Sequence, residues 1–127
     1  GAAGGSGPCT SCVGYPAAYP EVVAVSATNR NGELASFSSR GPEIELAAPG
    51  TDIATVGPNG CPPFAGTSYA TAHASGVAAL VMAQGYTNSG ARTRLQNTAE
   101  NLGLPSDEQG YGLVDAAAAV GLNSSDD

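Results

Sequence analysis

The stretch from Gly66 to Gly76 places a serine, a histidine and many small residues where they could support nucleophilic chemistry. It reads Gly-Thr-Ser-Tyr-Ala-Thr-Ala-His-Ala-Ser-Gly and continues as an apolar run to Ala83. The spacing predicts a helix that is small or apolar on almost every face, which is typical of a helix buried on all sides. Ser68 would lie at the helix N-terminus, where unpaired N–H groups and the helix dipole favour negative charge. An oxyanion formed by attack of Ser68 on a carbonyl would be stabilised there.

Ser68 has a second interpretation, because serine is also a favoured N-cap residue. The only histidine of the chain, His73, follows Ser68 by five residues on the same predicted helix. At this separation the two side chains point about 140° apart, so His73 cannot be the general base of Ser68. A nucleophilic role for Ser68 therefore requires a base from elsewhere in the protein.

The pattern Gly-Thr-Ser-x-Ala-x-x-His-x-x-Gly resembles the nucleophile segment of the subtilisin-like serine proteases, the subtilases. The resemblance extends over nearly the whole chain and stops near Gly121. Other segments that look like subtilase segments occur in the order of that family and at close to its spacing: residues 2–4, 13–20, 22–25, 35–42, 48–50 and 111–115.

The resemblance implies that Ser68 is the nucleophile of an endopeptidase that cleaves polypeptide substrates through an acyl-enzyme. The Ser68 N–H would help to hold the oxyanion, with Thr67 in support. Gly5 stands where the family usually has an asparagine that donates the second oxyanion hydrogen bond. Loss of that donor from a subtilisin costs about 10²–10³ in turnover. The implied substrate-binding residues are Ala3, Gly4, Gly14 and Tyr15, with a cis bond between Tyr15 and Pro16.

The family's catalytic aspartate and histidine precede the nucleophile and would lie upstream of these 127 residues. Because subtilase catalytic domains are about twice this length, we interpret residues 1–121 as the C-terminal part of one. Residues 122–127 would be a polar tail or the start of a linker. His73 matches a structural histidine of the family that is buried in the core. The isolated chain is expected to be inactive.

Two alternatives to the protease stay open at this point. A non-catalytic pseudoprotease or interaction module with a subtilase fold is favoured by Gly5 and by Ala72, which replaces the family's usual proline. An unrelated esterase-like α/β hydrolase is the weaker alternative. Its elbow requires Gly-x-Ser-x-Gly, whereas the residue two after Ser68 is Ala70.

The charge of the chain excludes several partners. Eleven acidic and four basic residues, all of them arginine, give a net charge of −7. Such a chain repels nucleic acid and anionic membrane surfaces, and no apolar run is long enough to span a membrane. The acidic, lysine-free composition resembles that of proteins from extreme halophiles and, within the family, the haloarchaeal halolysins. We expect a secreted, extracellular protein, monomeric, with no nucleic-acid or membrane partner.

The three cysteines, Cys9, Cys12 and Cys61, indicate one disulfide and one remaining thiol in an extracellular protein, with the pairing left open. Cys9 and Cys12 lack the second pair or histidines of a metal site. Family members can bind a cation weakly through carbonyls of the 13–20 loop and a carboxylate matching Glu45. Because calcium needs six to eight oxygens, we name no metal ligand here and allow only weak calcium binding in the intact protein.

The remaining pattern predicts an α/β protein with a mostly parallel sheet. The resemblance makes this the C-terminal half of a subtilisin-like three-layer fold. A second helix is predicted from a cap at Ser89 to Ala99, with Arg92 and Arg94 facing solvent, and a loop from Asn101 to Gln109. Strands are predicted at residues 1–4, 21–27, 44–47 and 52–56, and an alanine-rich last helix after residues 113–115.

Overall fold

Strands come first along the chain and helices follow, in a computed structural model that describes residues 1–122. The last five residues of the predicted tail lie outside this range. The strands are β1 (Ala24–Thr28), β2 (Ile44–Pro49), β3 (Ile53–Ala54) and β4 (Pro63–Phe64). The helices are α1 (Thr67–Ala83), α2 (Asn88–Thr98), α3 (Ser106–Gln109) and α4 (Ala116–Ala119).

The sheet that positions the site is parallel, as predicted. β1 and β2 pair in parallel, with Thr28 opposite Pro49 at their carboxyl ends. Ala2 extends this pairing beyond β1, and Leu113 extends it beyond β2, both through parallel bridges. All five residues of β1 are buried, which its small and β-branched side chains allow in a strand covered on both faces.

Helices cover both faces of this sheet. Val25 and Ala27 of β1 pack in one cluster with Ala70 and Ala74 of α1. Ser26 lies between them in the strand, so its side chain points to the other face. There its hydroxyl donates a hydrogen bond of 2.6 Å to the carbonyl oxygen of Glu108 in α3. The two helices therefore sandwich the sheet in three layers.

Helix α1 is buried on one face only, which corrects the prediction of a helix buried on every side. Its buried residues follow helical spacing: Thr67, Ala70, Ala74, Val77 and Val81. On the other face His73 is exposed, so the prediction that it lies in the core is wrong for this chain. Leu80 on that face is 53% exposed. An open cleft of about 640 Å³ follows this face, with Ile53 of β3 at its edge.

Three further predictions are corrected in the peripheral elements. The predicted strand over residues 52–56 is only Ile53–Ala54, and it pairs antiparallel with β4, outside the parallel sheet. The predicted loop at 101–109 contains the short helix α3. Helix α2 is capped by Thr87 rather than Ser89, since the Thr87 hydroxyl accepts a hydrogen bond of 3.1 Å from the Gly90 N–H.

Arg92 and Arg94 bind protein groups instead of facing solvent. The Arg94 guanidinium donates to the carbonyl oxygens of Ala118 and Ala119 at the end of α4, at 3.0 and 2.9 Å. Arg92 pairs through two nitrogens with the carboxylate of Glu45 on β2, and its Nε lies 2.8 Å from Glu45 Oε2. These contacts attach α2 to the sheet and to α4.

The Glu45 carboxylate also accepts a hydrogen bond of 3.0 Å from Gln96. Burial alone would raise the pKa of the Glu45 carboxyl. Hydrogen bonds from Arg92 and Gln96 outweigh this effect, so the pKa lies below its ordinary value of 4.5. Glu45 therefore stabilises the fold above the unfolded-state pKa, and this contribution is lost as the pH falls through the lower folded-state pKa.

Glu45→Gln is expected to lower the free energy of unfolding at neutral pH by about 1–3 kcal/mol, since it removes the charge from hydrogen bonds to Arg92. The difference from the unmodified chain should shrink as the pH falls below 4.5. Urea unfolding at several pH values measures both effects. The exposed neighbour Glu43, changed to glutamine, is the control and should shift stability little. A Glu45→Gln deficit that persists undiminished in acid would contradict the assignment.

Candidate active site

Ser68 is the second residue of α1 and is exposed to solvent. The N-cap of the helix is Gly66, and no side-chain hydrogen bond caps it. The interpretation of Ser68 as a capping residue is therefore wrong. The N–H groups of Tyr69 and Ala70 both donate to the Gly66 carbonyl oxygen. Ser68 precedes them in the first turn, at the positive end of the helix dipole.

The start of α1 is attached to the carboxyl edge of the parallel sheet. The Gly66 N–H donates to the carbonyl oxygen of Gly50 at 2.8 Å, and the Gly50 N–H donates to that of Thr28 at 3.0 Å. A Cβ atom on Gly50 would lie 2.5 Å from the Cβ of Ala27. Only glycine allows the backbone at position 50 to come this close to β1. Because Gly66 is bonded to Gly50, this contact helps to fix the position of Ser68 two residues later.

Thr67 connects the start of α1 to the first loop of the chain. Its side chain is buried, and its hydroxyl oxygen accepts a hydrogen bond of 3.1 Å from the Gly4 N–H. Gly5 and Ser68 are the next residues after this bonded pair, so the structure brings the candidate oxyanion position close to the candidate nucleophile. Gly5 is exposed, and a Cβ atom there would meet only the carbonyl oxygen of Phe37, at 4.0 Å.

The predicted substrate-binding residues lie beside this pair, but they differ in their exposure to solvent. Ala3 is fully buried, and its carbonyl oxygen accepts a hydrogen bond of 2.9 Å from the Gly14 N–H. Gly4 has a φ of +114°, a conformation that favours glycine. The Tyr15 side chain is 74% exposed and packs on Tyr19 with ring centroids 4.7 Å apart. The bond between Tyr15 and Pro16 is cis, as predicted.

His73 is not arranged as a partner of Ser68. Its Nδ1 lies 3.0 Å from the carbonyl oxygen of Tyr69, one turn back along α1. Because this is the only histidine of the chain, no imidazole base for Ser68 is present in these residues. The described residues therefore place an exposed serine at the start of a helix without a histidine that could accept its proton.

The loop between Gly5 and Gly14 carries the disulfide, which joins Cys9 to Cys12. Cys61 is a free, exposed thiol. This fits the expectation of one disulfide and one thiol, and it resolves the pairing. Cys61 is therefore not bridged to the first loop.

The loop also receives hydrogen bonds that sequence reasoning did not single out. The Ser39 N–H donates to the carbonyl oxygen of Gly4 at 2.8 Å, and the Ser39 hydroxyl accepts from the Ser6 N–H at 3.0 Å. Ser39 is fully buried. The sequence offers no signal for this contact, because Ser36, Ser38 and Ser39 look alike there.

The model of the subtilase family matches residues 1–112. The chain belongs to the subtilase family. It is 48% identical over 123 residues to a thermostable alkaline protease of Halalkalibacterium halodurans, covering 94% of this chain and 33% of that protein. It is 48% identical over 111 residues to the halolysin-like extracellular serine protease Nep of Natrialba magadii, covering 85% of this chain and 20% of that protein.

Subtilisin E of Bacillus subtilis is 46% identical to this subtilase over 119 residues, covering 91% of the chain and 31% of that protein. Among solved structures, the self-cleaved protease domain of PatA superposes with a TM-score of 0.78 at 32% identity. That match covers 94% of this chain and 47% of the PatA domain. The chain therefore has a subtilisin-like fold and spans less than half the length of these relatives. Halolysins and bacterial subtilisins match at similar identity.

No helix in residues 1–122 has the length and apolar character needed to cross a membrane. No group of three or more His, Cys, Asp or Glu residues in the same range is arranged to hold a metal ion. The carboxylate of Glu45, which the resemblance associates with a cation, is instead engaged by Arg92 and Gln96.

Proposed function

We propose that the intact protein containing this chain is a serine endopeptidase that hydrolyses peptide bonds through an acyl-enzyme on Ser68. One observation carries the proposal: Ser68 is exposed in the first turn of α1 and does not cap the helix. The Ser68 side chain is neither buried nor a helix cap, so it has no evident role in stabilising the fold, and its hydroxyl is accessible to a substrate. Membership of the subtilase family supports the same reaction.

In the proposed reaction the Ser68 oxygen attacks the substrate carbonyl carbon and transfers its proton to a histidine base. The Ser68 N–H and the N-terminal dipole of α1 stabilise the oxyanion that forms. Thr67 keeps the Gly4–Gly5 turn beside the nucleophile through its hydrogen bond to the Gly4 N–H. The amine then leaves with the proton, and water hydrolyses the acyl-enzyme on Ser68. As the family resemblance implies, polypeptide substrate would lie along Gly4, Gly14 and Tyr15, with the fully buried Ala3 supporting Gly14 from behind through its carbonyl oxygen.

The histidine base and its aspartate are proposed to lie in sequence upstream of Gly1. The matched relatives are about three to five times longer than the region they share with this chain, which leaves room for that segment. The open face of α1, where His73 and Leu80 are exposed, is where we place part of it. Burial of that face would complete the core around the helix. Without this segment, the isolated chain is expected to be inactive.

A fluorophosphonate probe tests the proposal, because it reacts covalently with an activated serine. In the intact protein the probe is expected to label Ser68, as located by mass spectrometry of the labelled peptide. The isolated chain should stay unlabelled under the same conditions. Intact, folded protein without label at Ser68 would overturn the proposal. It would favour the second candidate, a pseudoprotease, for which Gly5 is the supporting observation because glycine lacks the side-chain amide donor of asparagine.

We also infer a secreted, salt-adapted and monomeric protein without nucleic-acid partners. The net charge of −7 and the absence of lysine support this, and one relative is described as extracellular and halolysin-like. High salt would screen the repulsion among the acidic side chains. Any weak calcium binding in the intact protein would need ligands other than Glu45, since its carboxylate accepts hydrogen bonds from Arg92 and Gln96.

A further inference from the structure

We propose that Ser39 is a positioning residue of the active site, which fixes the turn of residues 4–6 beside Ser68. This inference rests on the proposed function. Ser39 lies between β1 and β2, far in sequence from both Gly5 and Ser68. It would act through the backbone of the turn, without touching substrate.

The hydrogen bonds of Ser39 hold the turn on both sides of Gly5. Its N–H donates to the Gly4 carbonyl oxygen at 2.8 Å, and its hydroxyl accepts from the Ser6 N–H at 3.0 Å. The Gly4 N–H is already bound to the Thr67 hydroxyl at 3.1 Å. Both polar groups of the Gly4 backbone are therefore bound, one to the helix that carries Ser68 and one to Ser39.

The space around position 39 accepts a small hydroxyl side chain and little more. Ser39 is fully buried, and its oxygen lies 3.0 Å from the place where a Cβ on Gly4 would stand. Alanine at position 39 would fit, and it would keep the backbone bond to Gly4. It would remove the acceptor for the N–H of Ser6, in a part-buried hydrogen bond of a residue that is itself exposed to solvent. Ser39→Ala should therefore fold with a looser turn.

Ser38 provides a matched control in the neighbouring position. It is also fully buried, and its hydroxyl accepts a hydrogen bond of 3.1 Å from the Ala27 N–H inside β1. Alanine there would leave a buried N–H of the sheet without its partner, which costs stability. The two adjacent hydroxyls thus serve different parts of the fold, Ser38 the sheet and Ser39 the turn.

The experiment compares Ser39→Ala and Ser38→Ala in the intact protein by the rate of fluorophosphonate reaction at Ser68 and by kcat and KM on a peptide substrate. Ser39→Ala is expected to lower the labelling rate and kcat about tenfold, the equivalent of one neutral hydrogen bond. Ser38→Ala should unfold at lower urea concentration and react at the unmodified rate. An unchanged rate in Ser39→Ala, or an equal loss in both variants, would overturn the inference.

Hydrogen exchange of the Ser6 amide tests the same contact in the intact protein. Exchange should become faster in Ser39→Ala and stay unchanged in Ser38→Ala. Exchange at the same rate in Ser39→Ala would also overturn the inference, whatever the activity shows. Failure of Ser68 to label in the unmodified intact protein would instead overturn the proposed function, so the two failures are distinguishable.

Discussion

Ser68→Ala is expected to abolish peptide hydrolysis by the intact protein while leaving its fold unchanged. In a subtilisin, loss of the nucleophilic serine lowers kcat about 10⁶-fold, because the acyl-enzyme cannot form. The free energy of unfolding should change by no more than about 0.5 kcal/mol, since Ser68 is exposed and caps nothing. Turnover of a peptide substrate and urea unfolding measure the two quantities on the same preparation.

Ser89 gives a matched control for this variant. It is the second residue of α2, as Ser68 is the second residue of α1, and it is likewise exposed. Ser89→Ala removes a hydroxyl from an equivalent helical position and should keep full activity. Continued hydrolysis by Ser68→Ala would mean that another residue is the nucleophile, and the proposed function would be wrong.

The parallel sheet and the start of α1 could be predicted from the sequence because their signals are local. Buried strands carry continuous small and β-branched residues, and the glycine before Thr67 marks the beginning of the helix. The exposure of His73 and Leu80 could not be predicted in this way. Apolar composition shows that a face can be buried, whereas actual burial depends on what packs against it.

Long-range polar contacts explain the wrong predictions in α2. Arg92 bonds with Glu45 across 47 positions of sequence, and Arg94 reaches carbonyl groups in α4. No pattern within a helix reveals such partners. The cap was misplaced by two residues because Thr87 and Ser89 are both suitable N-cap types, and only the backbone geometry distinguishes them.

The candidate site also has a part that the sequence could predict and a part that it could not. The residues themselves were identified by resemblance to the subtilases, including Gly4, Gly5, Thr67 and Ser68. The contacts that hold them together join residues 63 positions apart, in the bond between Gly4 and Thr67, and 33 positions apart, in the bond of Ser39. Backbone groups take part in both contacts, and every residue has such groups, so side-chain identity gives little indication of them.

Gly5→Asn is expected to raise kcat of the intact protein by about 10²–10³, the effect of one oxyanion-hole amide as known from a subtilisin. The structure accommodates the new side chain. Gly5 does not have a left-handed backbone, and a Cβ there would be in ordinary contact with the Phe37 carbonyl oxygen at 4.0 Å. The bonds of Gly4 and Ser6 on either side would keep the added amide in place. Steady-state kinetics of the intact variant measure the gain.

Two control substitutions distinguish the effect of an amide donor at position 5 from the effect of simply filling the space there. Gly5→Asp has nearly the same shape but only accepts hydrogen bonds when ionised, so it should give no gain. Gly4→Asn adds the same amide one residue earlier, where the φ of +114° and the nearby Ser39 oxygen disfavour any side chain. It should lose activity. An equal response to asparagine and aspartate at position 5, or no gain from either, would show that residue 5 does not face the oxyanion formed on attack by Ser68.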